Sequence, residues 1–546
     1  MRLEKYLITA AIVVLTACSE TEEVAVESIE SVAAVEKTET MEDTRPNVLL
    51  IVADDLGFTD IGAFGSEIPT PNLDALAYEG VRLTSLHAAA SCQPTRSMLL
   101  GSVPASRGIV NRPALPTGGR DNLLSLDWAT IPELLQEAGY ATFMAGKWDL
   151  GMDDGYTPAT RGFDRSFVQL NGASSFFAEP MTAGELTGFE DDGQTLTFAD
   201  LGEDFYVTDT YTEKMLGYLQ SSPEGQPWFA YLPYTAPHWP LQLPDDWLDR
   251  HAGNYDIGYD KLRVARVAQA TEEGLFPETF SLEGFQPTAF PWQELDEEEQ
   301  AHYSRAQEIY AGMVEHLDMS IGRVIDYLRQ TGQLENTLII FTADHGASGA
   351  EYGSVQDRYG VRGGPRVPDH ADNRLENFGR SNSFIDHGRG FAEAAMAPFK
   401  NSKGSMYEGG LRAAAFVYYP EEIQAGGISH SFMTMMDLLP TLMEATDTEI
   451  PTDSFRGREV RAPYGVSAWP YLTAKSDTVH TDTAAGWSAN RGAALVMGGY
   501  KIIREPLNSE WKLFNLETDP GERNDLAAEY PELVATMATE WETNWQ

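Results

Sequence analysis

Cysteine is nearly absent: two in 546 residues, which rules out a disulfide framework. Cys18 closes Leu15-Thr16-Ala17-Cys18 behind an apolar run, and Cys92 opens Cys92-Gln93-Pro94-Thr95-Arg96. Basic residues are also scarce, with 38 Lys and Arg against 83 Asp and Glu and a formal net charge of -45. A phosphate backbone needs a Lys/Arg surface, so nucleic acid is excluded as a partner. A long polyanion is an awkward substrate unless the mouth of the site is locally basic. The simplest use of the excess acid is a solvated surface. The apolar run Tyr6 to Leu15 is too short to span a bilayer, and no internal repeat is evident.

That run follows Arg2 and Lys5 and ends in small residues, the pattern of an export signal. With a cysteine at the cleavage point it resembles a bacterial lipoprotein signal. Residues 1–17 would then be removed and Cys18 would carry the lipid that holds the protein on a membrane. Ser19 in the next position favours, by analogy, the outer membrane, giving a periplasmic or cell-surface lipoprotein. An ordinary secretory signal with an incidental cysteine is the alternative. Ser19 to Arg45 has nine acids, two bases and no aromatic residue. Such a segment buries too little apolar surface to offset its ordering entropy, so 18–45 reads as an acidic disordered tether. About 500 residues remain, enough for a large domain over 46–450 and a smaller C-terminal one over 451–546.

Asn47 to Ala53 is a continuous apolar run, as expected of a strand buried on both faces of a largely parallel sheet, and it stops at Asp54-Asp55. Leu338 to Ala343 has the same character and stops at Asp344-His345-Gly346. In open α/β sheets ligands gather beyond the carboxyl ends of the strands. Three carboxylates converging there would repel one another, which implies a divalent cation; an N-cap or turn is the bland reading of either pair alone. Thr70-Pro71-Asn72-Leu73-Asp74 opens a helix that Gly80 stops. Pro94 predicts a new helix over Thr95 to Leu100, whose N-terminal turn points at Cys92 and favours an anion there.

Taken in order, Ala53-Asp54-Asp55-Leu56-Gly57, Thr70-Pro71-Asn72-Leu73-Asp74, Cys92-Gln93-Pro94-Thr95-Arg96, Ala145-Gly146-Lys147-Trp148, Ala236-Pro237-His238-Trp239-Pro240, Ala343-Asp344-His345-Gly346 and Leu513-Phe514-Asn515-Leu516 resemble the type I sulfatases of the alkaline phosphatase superfamily, most closely the bacterial arylsulfatases. The resemblance runs from about Arg45 to the C-terminus. It implies a large mixed, mostly parallel sheet flanked by helices, with a smaller C-terminal antiparallel sheet. It implies that a maturation enzyme converts Cys92 to formylglycine (3-oxoalanine), whose hydrate is the nucleophile. Arg96 would hold that group, and Asp54, Asp55, Asp344 and His345 would bind one divalent cation together with the modified Cys92. Calcium is the family's usual ion, though an imidazole ligand suits manganese or zinc equally. Lys147 and Lys403 would neutralise the sulfate oxygens, and His238 would face the leaving oxygen. The substrate would be a sulfated small molecule or a sulfated saccharide.

The chain departs from the family where Lys147-Trp148-Asp149-Leu150-Gly151 replaces the usual Lys-Trp-His-Leu-Gly. Asp149 could act as the base in place of that histidine, or pair with Lys147. Gly101-Ser102 replaces the usual Thr-Gly and reads as a helix C-cap variant. Two other functions fit the same residues: a phosphonate or phosphate ester hydrolase of the superfamily, and a sulfated-glycan binder that lost its base. Gly184 to Asp204 reads as an inserted loop, and Ala347 to Ala397 as an irregular lid in which His387 and Arg389 either shape the pocket or are satisfied loop residues. Trp148, Phe176, Phe177 and Trp239 offer an apolar wall or core. A core helix is expected over Tyr303 to Gln330 and another over Asp437 to Ala445. Short strands are expected at Ala493–Met497, Lys501–Arg504 and Trp511–Asn515, with a last helix from Pro531.

Overall fold

Six consecutive apolar residues after Asn47 leave no polar face and must lie between two layers, and Asn47–Ala53 is buried at every position. The computed structural model describes residues 43–111, 122–180, 188–351, 367–481, 484–489 and 492–546. The proposed leader, Cys18 and nearly all of the proposed tether lie outside these residues. Asn47–Ala53 sits near the middle of an 11-stranded sheet. Thr337–Ala343 and Trp228–Pro233 flank it, and Ala141–Lys147 and Arg165–Gln169 follow, all five parallel. On the other side Arg412–Tyr418 runs antiparallel to Thr337–Ala343, and Val81–His87 antiparallel to that, restoring the common direction. The carboxyl ends of six strands therefore open on one edge, and Arg412–Tyr418 begins there. The mixed, mostly parallel sheet expected from the sequence is the observed one.

Several elements differ from expectation. The core helix begins six residues early, at Glu297, because Asp296 caps it by accepting the Glu299 N–H at 2.9 Å while the Glu299 side chain accepts the Asp296 N–H. The described part of the Gly184–Asp204 stretch is no free loop: Phe189–Asp191 and Gln194–Thr195 form a hairpin that extends the sheet edge, followed by a short helix over Phe198–Leu201. The Ala347–Ala397 segment, of which 352–366 lie outside the described residues, contains a helix at Gly388–Ala395.

The C-terminal sheet has four strands, Ala485–Ala489, Gly492–Met497, Tyr500–Arg504 and Lys512–Asn515, packed under the helix Pro531–Asn544. Its first strand, Ala-Gly-Trp-Ser-Ala, carries too little alternation to be read from sequence. Trp487 in that strand donates its indole N–H to the Ala88 carbonyl at 2.9 Å, tying the small sheet to the segment that leads to Cys92.

Candidate active site

Each strand end delivers its chemistry to the same place. Asp54 and Asp55 follow Ala53, Asp344 and His345 follow Ala343, Lys147 ends its strand with Asp149 just beyond, and His238 follows the strand that ends at Pro233. Cys92 is the first residue of the helix Cys92–Gly101. That helix starts three residues earlier than expected, because Pro94 falls within the first turn, where a missing N–H costs nothing. Ser102 caps it in the left-handed conformation, as the C-cap reading of Gly101-Ser102 expects.

The Cys92 sulfur lies 3.4 Å from Asp54 Oδ1, 3.2 Å from His345 Nε2 and 3.5 Å from Lys403 Nζ. Arg96, one turn along, is wholly buried; its Nη2 lies 3.2 Å from Asp54 Oδ2 and 3.4 Å from Asp344 Oδ2, and its Nη1 donates to the Lys147 carbonyl at 2.8 Å. Lys147 donates to Asp54 Oδ2, and Lys403 to Asp55 Oδ1 at 2.5 Å. Asp149, at φ 55°, stands 3.9 Å from Lys147 Nζ. His238 Nε2 is 3.5 Å from Asp55 Oδ2 while its Nδ1 is engaged by the Trp239 carbonyl. All ten predicted site residues are thus gathered in one cluster, buried except for the partly exposed Asp149 and Lys403.

The electrostatics follow from that crowding. Burial alone would raise the Asp54 carboxyl, yet Lys147 and Arg96 hold it well below the usual range. Asp55 is pushed up to about 6, chiefly by burial against the opposing pull of Lys403, with Asp54 adding to the rise. Burial, and then the Asp54 charge, lift the Cys92 thiol well above its ordinary value. A thiol held protonated is a poor nucleophile. Burial and Lys403 keep His238 neutral.

The donor set is compatible with a divalent cation. One group of four ligand atoms comes from Asp54, Cys92, Asp344 and His345, and an overlapping one from Asp54, Asp55, Cys92 and His238, each within 4.8 Å. Asp55 Oδ2 is buried and accepts no hydrogen bond, an orphaned acceptor that a cation would satisfy. His345 Nδ1 is engaged by the Gly346 carbonyl at 2.9 Å, which leaves Nε2 with its lone pair toward the carboxylates.

Three supporting residues escaped the sequence. Tyr310 donates to Asp60 Oδ2 at 2.6 Å and lies 3.2 Å from the Asp55 carbonyl, and Arg266 Nη1 pairs with Asp60 Oδ1 at 2.5 Å, bracing the turn after Asp55. No local pattern marks such long-range pairs. Of the uncertain pocket residues, His387 is wholly buried, stacked on Tyr310 at 4.1 Å and bonded to Gln307 and the Ser348 carbonyl, so it is a satisfied loop residue. Trp148 and Phe176 are core, whereas Trp239 and Arg389 line a cavity of about 430 Å³ that also touches Glu351, Lys403 and Glu505. A larger cavity, about 660 Å³, lies between the main sheet and the small one; none of the cluster residues lines it, so it is not the reaction site.

Strand-end carboxylates, buried cations and a helix N-terminus around one side chain make an α/β protein with a site suited to a metal ion and an anionic group. A family profile described as Sulfatase matches residues 46–448. The chain is 40% identical over 524 residues to an uncharacterized sulfatase of Schizosaccharomyces pombe, covering 92% of this chain and 93% of that one. It is 34% identical over 433 residues to an arylsulfatase of Klebsiella aerogenes, covering 78% and 91%. Among solved structures, Ps i-CgsB in complex with k-i-k-neocarrahexaose matches with a TM-score of 0.65 at 24% identity over 91% of this chain and 92% of that chain. The chain belongs to the sulfatase family, a type I sulfatase of the alkaline phosphatase superfamily, and is a sulfuric ester hydrolase.

Proposed function

We propose that the protein cleaves sulfate esters of sugars through a formylglycine derived from Cys92. The observation that carries this reading is the Cys92 sulfur, 3.2 to 3.5 Å from His345, Asp54 and Lys403 with its thiol held protonated. A thiol in that state serves no nucleophilic purpose, whereas its oxidised, hydrated form presents one hydroxyl to attack sulfur and a second whose loss of a proton re-forms the carbonyl and expels sulfate with the first oxygen. Asp54, Asp55, Asp344 and His345 would hold a divalent cation, calcium or manganese, which when bound lowers the pKa of a hydroxyl and neutralises charge on sulfate. Arg96 orients the nucleophile, being fixed between Asp54, Asp344 and the Lys147 carbonyl. Lys147 and Lys403 offset the charge on the non-bridging oxygens. His238, tethered through Nδ1, faces the leaving oxygen with Nε2, to which it would donate a proton once protonated there. Asp149 is the base; burial raises its carboxyl, and Lys147 at 3.9 Å pulls against that rise.

A sugar leaving group fits the cavity beside Lys403, where Trp239 offers a face and Glu351 and Glu505 accept from hydroxyls. We also propose that residues 1–17 are a lipoprotein leader, that 18–45 tether the protein through lipid on Cys18 to the outer membrane, and that 46–450 and 451–546 act as catalytic domain and C-terminal subdomain. Mass spectrometry of residue 92 after production with a formylglycine-generating enzyme tests the central step. The expected result is loss of the thiol in favour of the aldehyde, with calcium-stimulated turnover of an aryl sulfate that Cys92→Ala abolishes without loss of fold. An unmodified, active Cys92 overturns it, and faster turnover of the matched aryl phosphonate assigns the substrate to phosphorus.

A further inference from the structure

We infer that Glu505, in the C-terminal sheet region, is the positioning residue that holds Lys403 in the active site; the inference rests on the role proposed above for Lys403. Lys403 stands on a loop rather than at a strand end. Its near side is fixed by the bond from Lys403 N–H to the Ala347 carbonyl at 3.0 Å and from Gly404 N–H to the Ala90 carbonyl at 2.8 Å, two residues before Cys92. Its far side is fixed from the small sheet. Glu505 Oε2 accepts the Met406 N–H at 2.8 Å and the Ser405 hydroxyl at 3.0 Å, and Asn401 donates to that same hydroxyl at 3.0 Å.

Behind these, Glu408 N–H donates to Glu522 Oε2 at 2.6 Å, and Lys501 pairs with Glu408 at 2.7 Å and Glu522 at 2.9 Å, all three side chains wholly buried. This triad clamps the foot of the loop, and Glu505 clamps its shoulder, one residue after the strand Tyr500–Arg504. A charged carboxylate that accepts a backbone N–H and a hydroxyl is a stronger tether than a neutral loop contact. The small sheet therefore does more than close the fold: through Trp487 it holds the approach to Cys92, and through Glu505 it aims Lys403 at Asp55.

The test uses the full-length protein and reads Lys403 directly. Acetylation of Lys403 by a water-soluble acylating reagent, followed by mass spectrometry without substrate, should be about tenfold faster in Glu505→Ala than in the parent, with Lys147 unchanged. Glu505→Gln, which keeps an acceptor, should restore much of the protection, and Ser405→Ala, a smaller lesion, should fall between. On an aryl sulfate, Glu505→Ala should lower kcat about tenfold, and its effect should vanish in a Lys403→Ala background. Unchanged Lys403 labelling in Glu505→Ala and Ser405→Ala overturns the inference, as does an undiminished loss of kcat in the Lys403→Ala background. Faster labelling with full activity supports the tether and instead removes Lys403 from the reaction.

Discussion

Lys147 and Lys403 place the same ammonium charge on neighbouring carboxylates by opposite constructions. Lys147 ends a strand in the middle of the sheet and is wholly buried, so its position is set by backbone that cannot move without the sheet. Lys403 sits on a loop with its side chain 20% exposed and depends on contacts from three other segments. A strand end is positioned by the core; a loop end must be held by something built for it. Gly346 and Gly409 mark where the two constructions meet, since a Cβ on Gly346 would come within 1.9 Å of the Gly409 carbonyl oxygen.

Removing each charge breaks the comparison most sharply. Lys147→Ala leaves Asp54 less compensated in a sealed site, so it should cost about 3–5 kcal/mol of stability and roughly 10²–10³ in kcat. Lys403→Ala should cost about 10² in kcat with little change in stability. Urea denaturation and steady-state kinetics on an aryl sulfate read both. Equal stability losses would show that the loop is as rigid as the strand end.

Asp149→His tests the strand-end half alone. Asp149 occupies a left-handed backbone position that histidine tolerates, and it draws on the charge of Lys147 at 3.9 Å. An imidazole there frees Lys147 for the substrate and supplies a base near neutral pH, so kcat should rise about tenfold. A lower kcat would make the carboxylate the better base in this site.

The same contrast decides what was legible in the sequence. Asn47–Ala53 and Thr337–Ala343 stand out because strands buried on both faces are largely apolar runs, and the rule that ligands gather at strand ends marked the acids that follow them, while the ligand set of Asp54, Asp55, Asp344 and His345 came from family resemblance. Lys403 was found through family resemblance alone; nothing in Ser402-Lys403-Gly404 says that its ammonium reaches Asp55. Glu505, Lys501 and Glu522 were invisible because their meaning lies in pairs about a hundred residues apart. The helix Gly388–Ala395 was hidden by two glycines that read as loop, while its alanines and Phe391 pack inward.

The smallest expected effect sharpens the comparison from the loop side. Glu351 accepts from Tyr303 Oη at 2.9 Å and from the Arg389 N–H at 2.9 Å, and burial pushes its carboxyl up to about 7, with Asp386 nearby adding to the rise. A raised folded value means that the folded protein binds the proton more tightly than the unfolded chain does. Stability from this group is therefore highest at low pH and falls as pH rises from about 4.5 toward 7, by up to about 3 kcal/mol. Glu351→Gln mimics the protonated acid, so in urea denaturation it should gain about 2 kcal/mol over the parent at pH 8 and under about 1 kcal/mol at pH 5. The strand-end carboxylate Asp54 has no such penalty, because Lys147 and Arg96 hold it charged. An equal response of Glu351→Gln at both pH values would show that loop acids are compensated as fully as those at the strand ends.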